Sequence, residues 1–257
     1  MTNRSADHLV IGGGLAGSTV GIHLAAAGRQ VTLLEREPSA HHKVCGEFLS
    51  REAVDYLAQL GVDPISLGAQ TIRSVRLTAR NQVIETKLPF TALSLSRFVL
   101  DEALIKRAAD SGCTVERGAF VERVTQRDGG WRAELRGGES WTSATVFLAS
   151  GKHELRGMER GQGQHGDLVG FKLHWRLAAA QTEALGDSME LSSVRWHRDV
   201  RLHRALRRDR EVAAIRMPTA SPITATPVVR RIAWRAFARV ACGNGSPIIG
   251  AEISSPL

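Results

Sequence analysis

The alternation of apolar and polar positions divides the first 178 residues into short elements of both helical and strand period. His8-Leu9-Val10-Ile11 reads as a strand that runs into Gly12-Gly13-Gly14-Leu15-Ala16-Gly17, and an Ala-rich helical pattern follows, ending near Gly28. A second strand, Val31-Thr32-Leu33-Leu34, ends at Glu35. After a polar loop over 36–47, Ser50 caps a helix in which Ala53, Leu57 and Leu60 recur at helical spacing before Gly61. Residues 71–77 and 83–88 alternate around Arg80-Asn81 as a hairpin would, and 96–109 reads as an amphipathic helix with Phe98, Leu100, Leu104 and Ile105 inward. Strand patterns then cover 113–115, 120–127, 131–135 and 139–142, the last three as a meander, and 145–149 reads as a buried strand ending at Ser150-Gly151. Residues 168–177 alternate again, as a strand of a second layer. This order predicts an α/β fold, a parallel sheet with helices that carries an antiparallel β-meander.

Past about residue 190 the pattern fails. Residues 194–204 alternate only loosely, and Pro218, Pro222 and Pro227 interrupt the stretch beyond them. The charge changes at the same place. Residues 1–189 carry 22 Lys and Arg against 21 Asp and Glu, whereas residues 190–257 carry 12 against 5, all 12 being Arg. The last lysine is Lys172, and the C-terminal quarter holds +7 of the net charge of +8. That quarter has no RNP-type aromatics or zinc-finger spacing, so no specific nucleic-acid partner is expected. No apolar run is long enough to span a membrane, and no apolar leader precedes the first strand, so a cytoplasmic location is the expectation. Cys45, Cys113 and Cys242 are too few and too scattered for a disulfide framework, and the histidines show no ligand spacing, so no metal is expected.

The glycine cluster carries the sharpest chemistry. Gly12 allows a tight strand-to-helix turn, Gly14 lets a pyrophosphate approach the backbone, and Gly17 lets the helix lie close on the strand. The helix start then faces the phosphates with free N–H groups and a positive dipole end. Glu35 stands about 20 residues beyond the glycines, where a carboxylate accepts the ribose hydroxyls of an adenosine. Turn and acid together predict a Rossmann-like βαβ opening that serves NAD and FAD equally.

Two further segments are candidates. The loop Lys43-Val44-Cys45-Gly46-Glu47 follows the ribose-binding strand, where loops reach toward a cofactor; its bland reading is a small buried Cys45 and a Glu47 near a helix start. Arg97 opens a helix, where its guanidinium opposes the dipole unless an anion lies beside it, so it reads either as a phosphate contact or as a solvated side chain.

The segment 7–17, Lys43-Val44-Cys45-Gly46-Glu47, Ser96-Arg97-Phe98-Val99-Leu100-Asp101 and the segment 148–157 come in one particular order. Over residues 7–178 the chain thereby resembles the FAD-dependent oxidoreductases of the geranylgeranyl reductase and para-hydroxybenzoate hydroxylase group. The resemblance implies FAD held by Gly12, Gly14 and Gly17 at the pyrophosphate, Glu35 at the adenosine ribose, Arg97 at the phosphates, and Arg36 among the cofactor-binding residues. It also implies the backbone of Val121 at the adenine, Cys45, Gly46 and Glu47 near the flavin, and Gly151 in a strand-end motif near the dinucleotide. The reductant would be NAD(P)H and the substrate a small organic or isoprenoid-type molecule, reduced or monooxygenated; no catalytic acid or base is named. The expected organisation is a FAD-binding domain over 1–165, interrupted at about 70–90 by a hairpin of the substrate layer. The start of a β-sheet substrate domain over 166–189 and a poorly specified, disordered or out-of-frame segment over 190–257 follow.

The sequence departs from that group at one motif. A later Gly-Asp-Ala segment, which binds the flavin half, has no match in Gly166-Asp167-Leu168 or Gly186-Asp187-Ser188. Lost resemblance, lost lysine and lost periodicity coincide near 190, so the chain reads as truncated or frame-shifted there; the alternative is a non-catalytic nucleotide-binding remnant. Translating the coding DNA in its other two frames is expected to restore a family-like continuation past codon 190, and its absence from both frames would refute a frame shift.

Overall fold

A computed structural model describes residues 2–79, 82–127, 129–159, 171–174, 177–195, 211–216 and 251–253. The expected turn at Arg80-Asn81, Gly166-Asp167-Leu168, Cys242 and most of the segment past 190 lie outside the described residues. The chain forms two compact units: Met1–His42, Tyr56–Asp63 and Arg97–Gly166 in the first, and Lys43–Asp55, Pro64–Ser96 and Asp167–Leu257 in the second. The loop carrying Cys45, Gly46 and Glu47 thus belongs to the second unit.

In the first unit, β1 (Asn3–Ile11) is central. It pairs in parallel with β2 (Val31–Glu35) from His8↔Val31 to Ile11↔Leu34, and with β9 (Ser140–Leu148) from Asn3↔Ser140 to Ile11↔Leu148. Adding β6 (Thr114–Arg117), β7 (Val121–Arg127) and β8 (Gly130–Leu135) gives the order β6-β2-β1-β9-β8-β7, four parallel strands continued by an antiparallel meander. All five residues of β2 are buried, as an interior parallel strand requires. Leu9, Ile11 and Leu34 join Val121, Val124, Ala133, Leu135, Trp141 and Leu155 in one cluster. Each such side chain contributes about 1.5–3 kcal/mol when fully buried.

Residues Val10 and Leu33 alternate to the opposite face. There α1 (Leu15–Ala26) lies against α3 (Arg97–Asp110), and the buried positions of α1 are mostly small: Gly17, Ser18 and Gly21 beside Ile22. A Cβ on Gly21 would meet Cys113 Sγ at 3.3 Å, Leu33 Cδ1 at 3.6 Å and Ala108 Cβ at 3.7 Å. Small residues therefore set how near the helix comes to strand and neighbour.

One expectation changes here. The patterns at 139–142 and 145–149 belong to a single strand, β9, which pairs with β8 only as far as Ser143 and with β1 throughout. Beyond Ser143 it becomes an edge, so its end is half-buried rather than buried, and Leu148 is 43% exposed.

In the second unit, β4 (Gln70–Ala79) and β5 (Gln82–Ser94) form the expected hairpin, with an irregularity between Ile72 and Ser74. The short β3 (Phe48–Leu49) pairs with the end of β5, ahead of the helix α2 (Arg51–Gln59), whose Ala53 N–H donates to Ser50 Oγ at 3.4 Å. On the other edge β11 (Ser188–Arg195) runs parallel to β4, and β12 (Glu211–Arg216) pairs with it antiparallel, so these described residues past 190 are strand. The strand expected over 168–177 is β10 (Phe171–Leu173) among the described residues, paired with β13 (Ala251–Ile253). Ser74 and Ser188 are hydrogen-bonded at 2.6 Å and share Glu85, whose carboxyl is held below its usual range by Ser74, then Arg76, then Ser188. None of the described helices is long and apolar enough to cross a membrane.

The closest approach in the fold yields a prediction. A Cβ on Gly17 would lie 1.8 Å from Gly12 O. Gly17→Ala is expected to destabilise the protein by about 3 kcal/mol, read as a lowered urea midpoint at unchanged slope.

Candidate dinucleotide site

The turn after β1 is held from both flanking strands. Gly12 N–H donates to Leu34 O at 2.8 Å, and Ala149 N–H donates to Ile11 O at 2.8 Å. Gly12 sits at φ +106°, and a Cβ there would lie 2.4 Å from Ala149 O, so the position requires glycine on two counts. Gly14 caps α1 with extended backbone, without a side-chain hydrogen bond and without an acid in the first turn. The first-turn N–H groups have no partner within the helix, and this start offers them no local carboxylate. Such an end is chemically an anion site.

The carboxylate of Glu35, 7% exposed, closes the turn. Gly13 N–H donates to its Oε2 at 2.5 Å and Glu37 N–H to its Oε1 at 2.9 Å, while Ala119 N–H donates to its backbone oxygen at 2.9 Å. A Cβ on Gly13 would meet Oε2 at 2.9 Å, so the middle glycine is where the acid fits. Each carboxylate oxygen has two acceptor sites, which leaves one per oxygen for a hydroxyl.

The neighbouring Arg36 pairs with Glu37 at 2.8 Å and lies 5.9 Å from the ring centre of Phe120, over which Arg136 also sits, at 3.9 Å. Phe120 and Arg136 give no signal in the sequence, because their approach depends on the pairing of the meander. Val121 is buried in the core cluster, paired with Leu135. Gly151, at φ +65° just past β9, would carry a Cβ with nothing within 4 Å. Arg97 makes a two-point ion pair with Asp101, at 2.6 and 2.9 Å, and both side chains are largely buried. The anion that the dipole argument requires at Arg97 is therefore present in the same helix, one turn on.

In the second unit, Glu47 is the one non-glycine at positive φ among the described residues, at 58°. Such a conformation costs about 1–3 kcal/mol and persists only where its surroundings over-determine it. Glu47 N–H donates to Cys45 Sγ at 3.5 Å, Leu95 N–H donates to Glu47 O at 3.0 Å, and the buried carboxylate is ion-paired to Lys172. Gly46 lies between, and the Cys45 thiol is half-buried. Lys172 is not among the residues the sequence singles out for the site; its one signal is being the last lysine of the chain. Gly186-Asp187-Ser188 is engaged elsewhere: Asp187 pairs with Arg73 at 3.0 Å and Ser188 with Ser74. Cys113 is buried, which pushes its thiol up to about 11.

Residues 5–147 match the FAD binding domain family. This chain belongs to that family. It is 28% identical over 175 residues to a menaquinone reductase of Mycolicibacterium smegmatis, an alignment covering 65% of this chain and 42% of the relative. The chain thus spans less than half the length of that relative. A flavoprotein/dehydrogenase from Cytophaga hutchinsonii superimposes with a TM-score of 0.60 at 17% identity, covering 74% of this chain and 50% of that one. A geranylgeranyl bacteriochlorophyll reductase-like protein from Thermoplasma acidophilum does so at 0.56 and 19%, with the same coverage. Both share the fold. The uncapped helix start, the glycine turn and the Glu35 acceptor fit the ADP part of FAD.

Removing the acid tests how the turn is held. Glu35→Ala leaves the buried N–H of Gly13 without its partner and is expected to cost about 2 kcal/mol in urea unfolding, whereas Glu35→Gln, which retains one acceptor oxygen, costs about half as much.

Proposed function

We propose that the first unit binds the ADP half of FAD, and that the chain is part of an FAD-dependent oxidoreductase acting on a small organic or isoprenoid-type substrate. The observation that carries this reading is the glycine turn with Glu35 anchored on Gly13 N–H, beside a helix start that has neither a side-chain cap nor an acid of its own. In it, Gly12, Gly14 and Gly17 admit the pyrophosphate to the start of α1, and Glu35 with Arg36 takes the adenosine ribose. The backbone of Val121 takes the adenine, Gly151 borders the dinucleotide at the end of β9, and Arg97 lies at the phosphates. Cys45, Gly46 and Glu47 are assigned to the flavin. When bound, FAD supplies the redox chemistry, and the protein supplies binding and orientation. The likeness to a menaquinone reductase favours reduction over monooxygenation; the reductant we propose is NAD(P)H.

One observation favours a second reading, a nucleotide-binding remnant without catalysis. The Gly186-Asp187-Ser188 segment, the described candidate for the flavin-half motif, is engaged by Arg73 and Ser74 within the β-layer.

Titration with FAD separates the two. Under the first reading, protein mixed with FAD and gel-filtered retains the visible flavin band, the band bleaches on adding NADH or NADPH, and Glu35→Gln lowers FAD affinity about tenfold. Binding of ADP without retention of flavin establishes the remnant and overturns the oxidoreductase.

A further inference from the structure

We infer that Lys172 is the positioning residue of the Cys45-Gly46-Glu47 loop. The loop's turn depends on Glu47 occupying the left-handed region, which side chains other than glycine rarely adopt. The contacts that hold it there include the hydrogen bond from Leu95 N–H to its carbonyl and the ion pair of its carboxylate with Lys172. The pair is dry, with side chains 4% exposed for Glu47 and 10% for Lys172. Removing one partner of so buried a pair is strongly destabilising, because the other group is left without its counter-charge.

Removal of the ammonium drives the carboxylate toward water. The strained φ of 58° then loses one of the contacts that sustain it, and relaxing it breaks the bond from the Glu47 N–H to Cys45 Sγ. The position of the Cys45 thiol is in this way set by a side chain on β10, 125 residues beyond Glu47 along the chain. The consequence goes beyond nucleotide binding by the first unit; where the loop meets the flavin, as the reading above assigns it, Lys172 also fixes what the flavin meets.

Thiol alkylation tests this without any cofactor, so its result is independent of the FAD titration. In a Cys242→Ser chain at pH 8, N-ethylmaleimide reads Cys45, because the buried Cys113 thiol titrates only at about 11. Lys172→Met is expected to raise the Cys45 rate about fivefold by freeing the loop, and Glu47→Gln to do the same, whereas Lys172→Arg, which retains the charge, stays within about twofold of the parent. A Lys172→Met rate within about twofold of the parent overturns the inference, as does acceleration of Cys113 in step with Cys45, which marks general loosening. Should Lys172→Met fail to fold, Glu47→Gln decides alone, and an unchanged Cys45 rate in that variant overturns it.

Discussion

The first unit depends on one contact, the Glu35 carboxylate on the N–H of Gly13. A strand that ends in a tight turn leaves backbone donors unpaired just where the helix must begin, and a buried donor without a partner is costly. Glu35 satisfies Gly13 with one oxygen and Glu37 with the other, so the acid at the end of β2 sets the turn after β1. The glycines make this possible. With a Cβ at Gly13 the carboxylate could not approach, and with one at Gly17 the helix could not sit over Gly12. The anion-accepting end of α1 is therefore built by strand and acid together, ahead of any ligand.

How much of this is legible in the sequence depends on the range of the interaction. The glycine turn, Glu35, α1, α3 and the hairpin can be read because backbone geometry, capping and period act within a few residues. The division of β9 into two patterns is misleading, because what changes at Ser143 is its neighbour and not its path. Arg97 shows a different failure. Its partner, Asp101, lies at the helical spacing of four, so the pair is readable, but the dipole argument looks outside the helix for the anion. Lys172, Phe120 and Arg136 carry no local signal, because each meets its partner only after distant strands pair.

Polar groups also specify the second unit, where strands carry less apolar surface. Ser74, on β4, reaches both Ser188 of β11 and Glu85 of β5, and Arg76 ties Glu85 to Glu190. A one-residue slip of β11 against β4 would turn Ser188 to the opposite face and strand these groups. The network thereby adds to the hydrophobic alternation in fixing register. Ser188 of the Gly186-Asp187-Ser188 segment belongs to this network, which places it at the start of β11 beside β4.

The two buried glutamates show how the same side chain is held by different means. Glu35 is held by two backbone N–H groups, one from the glycine turn and one from its own strand end, an arrangement that comes with the fold. Glu47 relies on a cation contributed by β10, and it occupies a backbone conformation that it would not choose alone. A backbone donor cannot be lost by mutation, except to proline, whereas a lysine can. The first site thus depends on the Glu35 side chain and on the absence of volume at its glycines. The loop of the second unit instead draws on a charge from a distant strand.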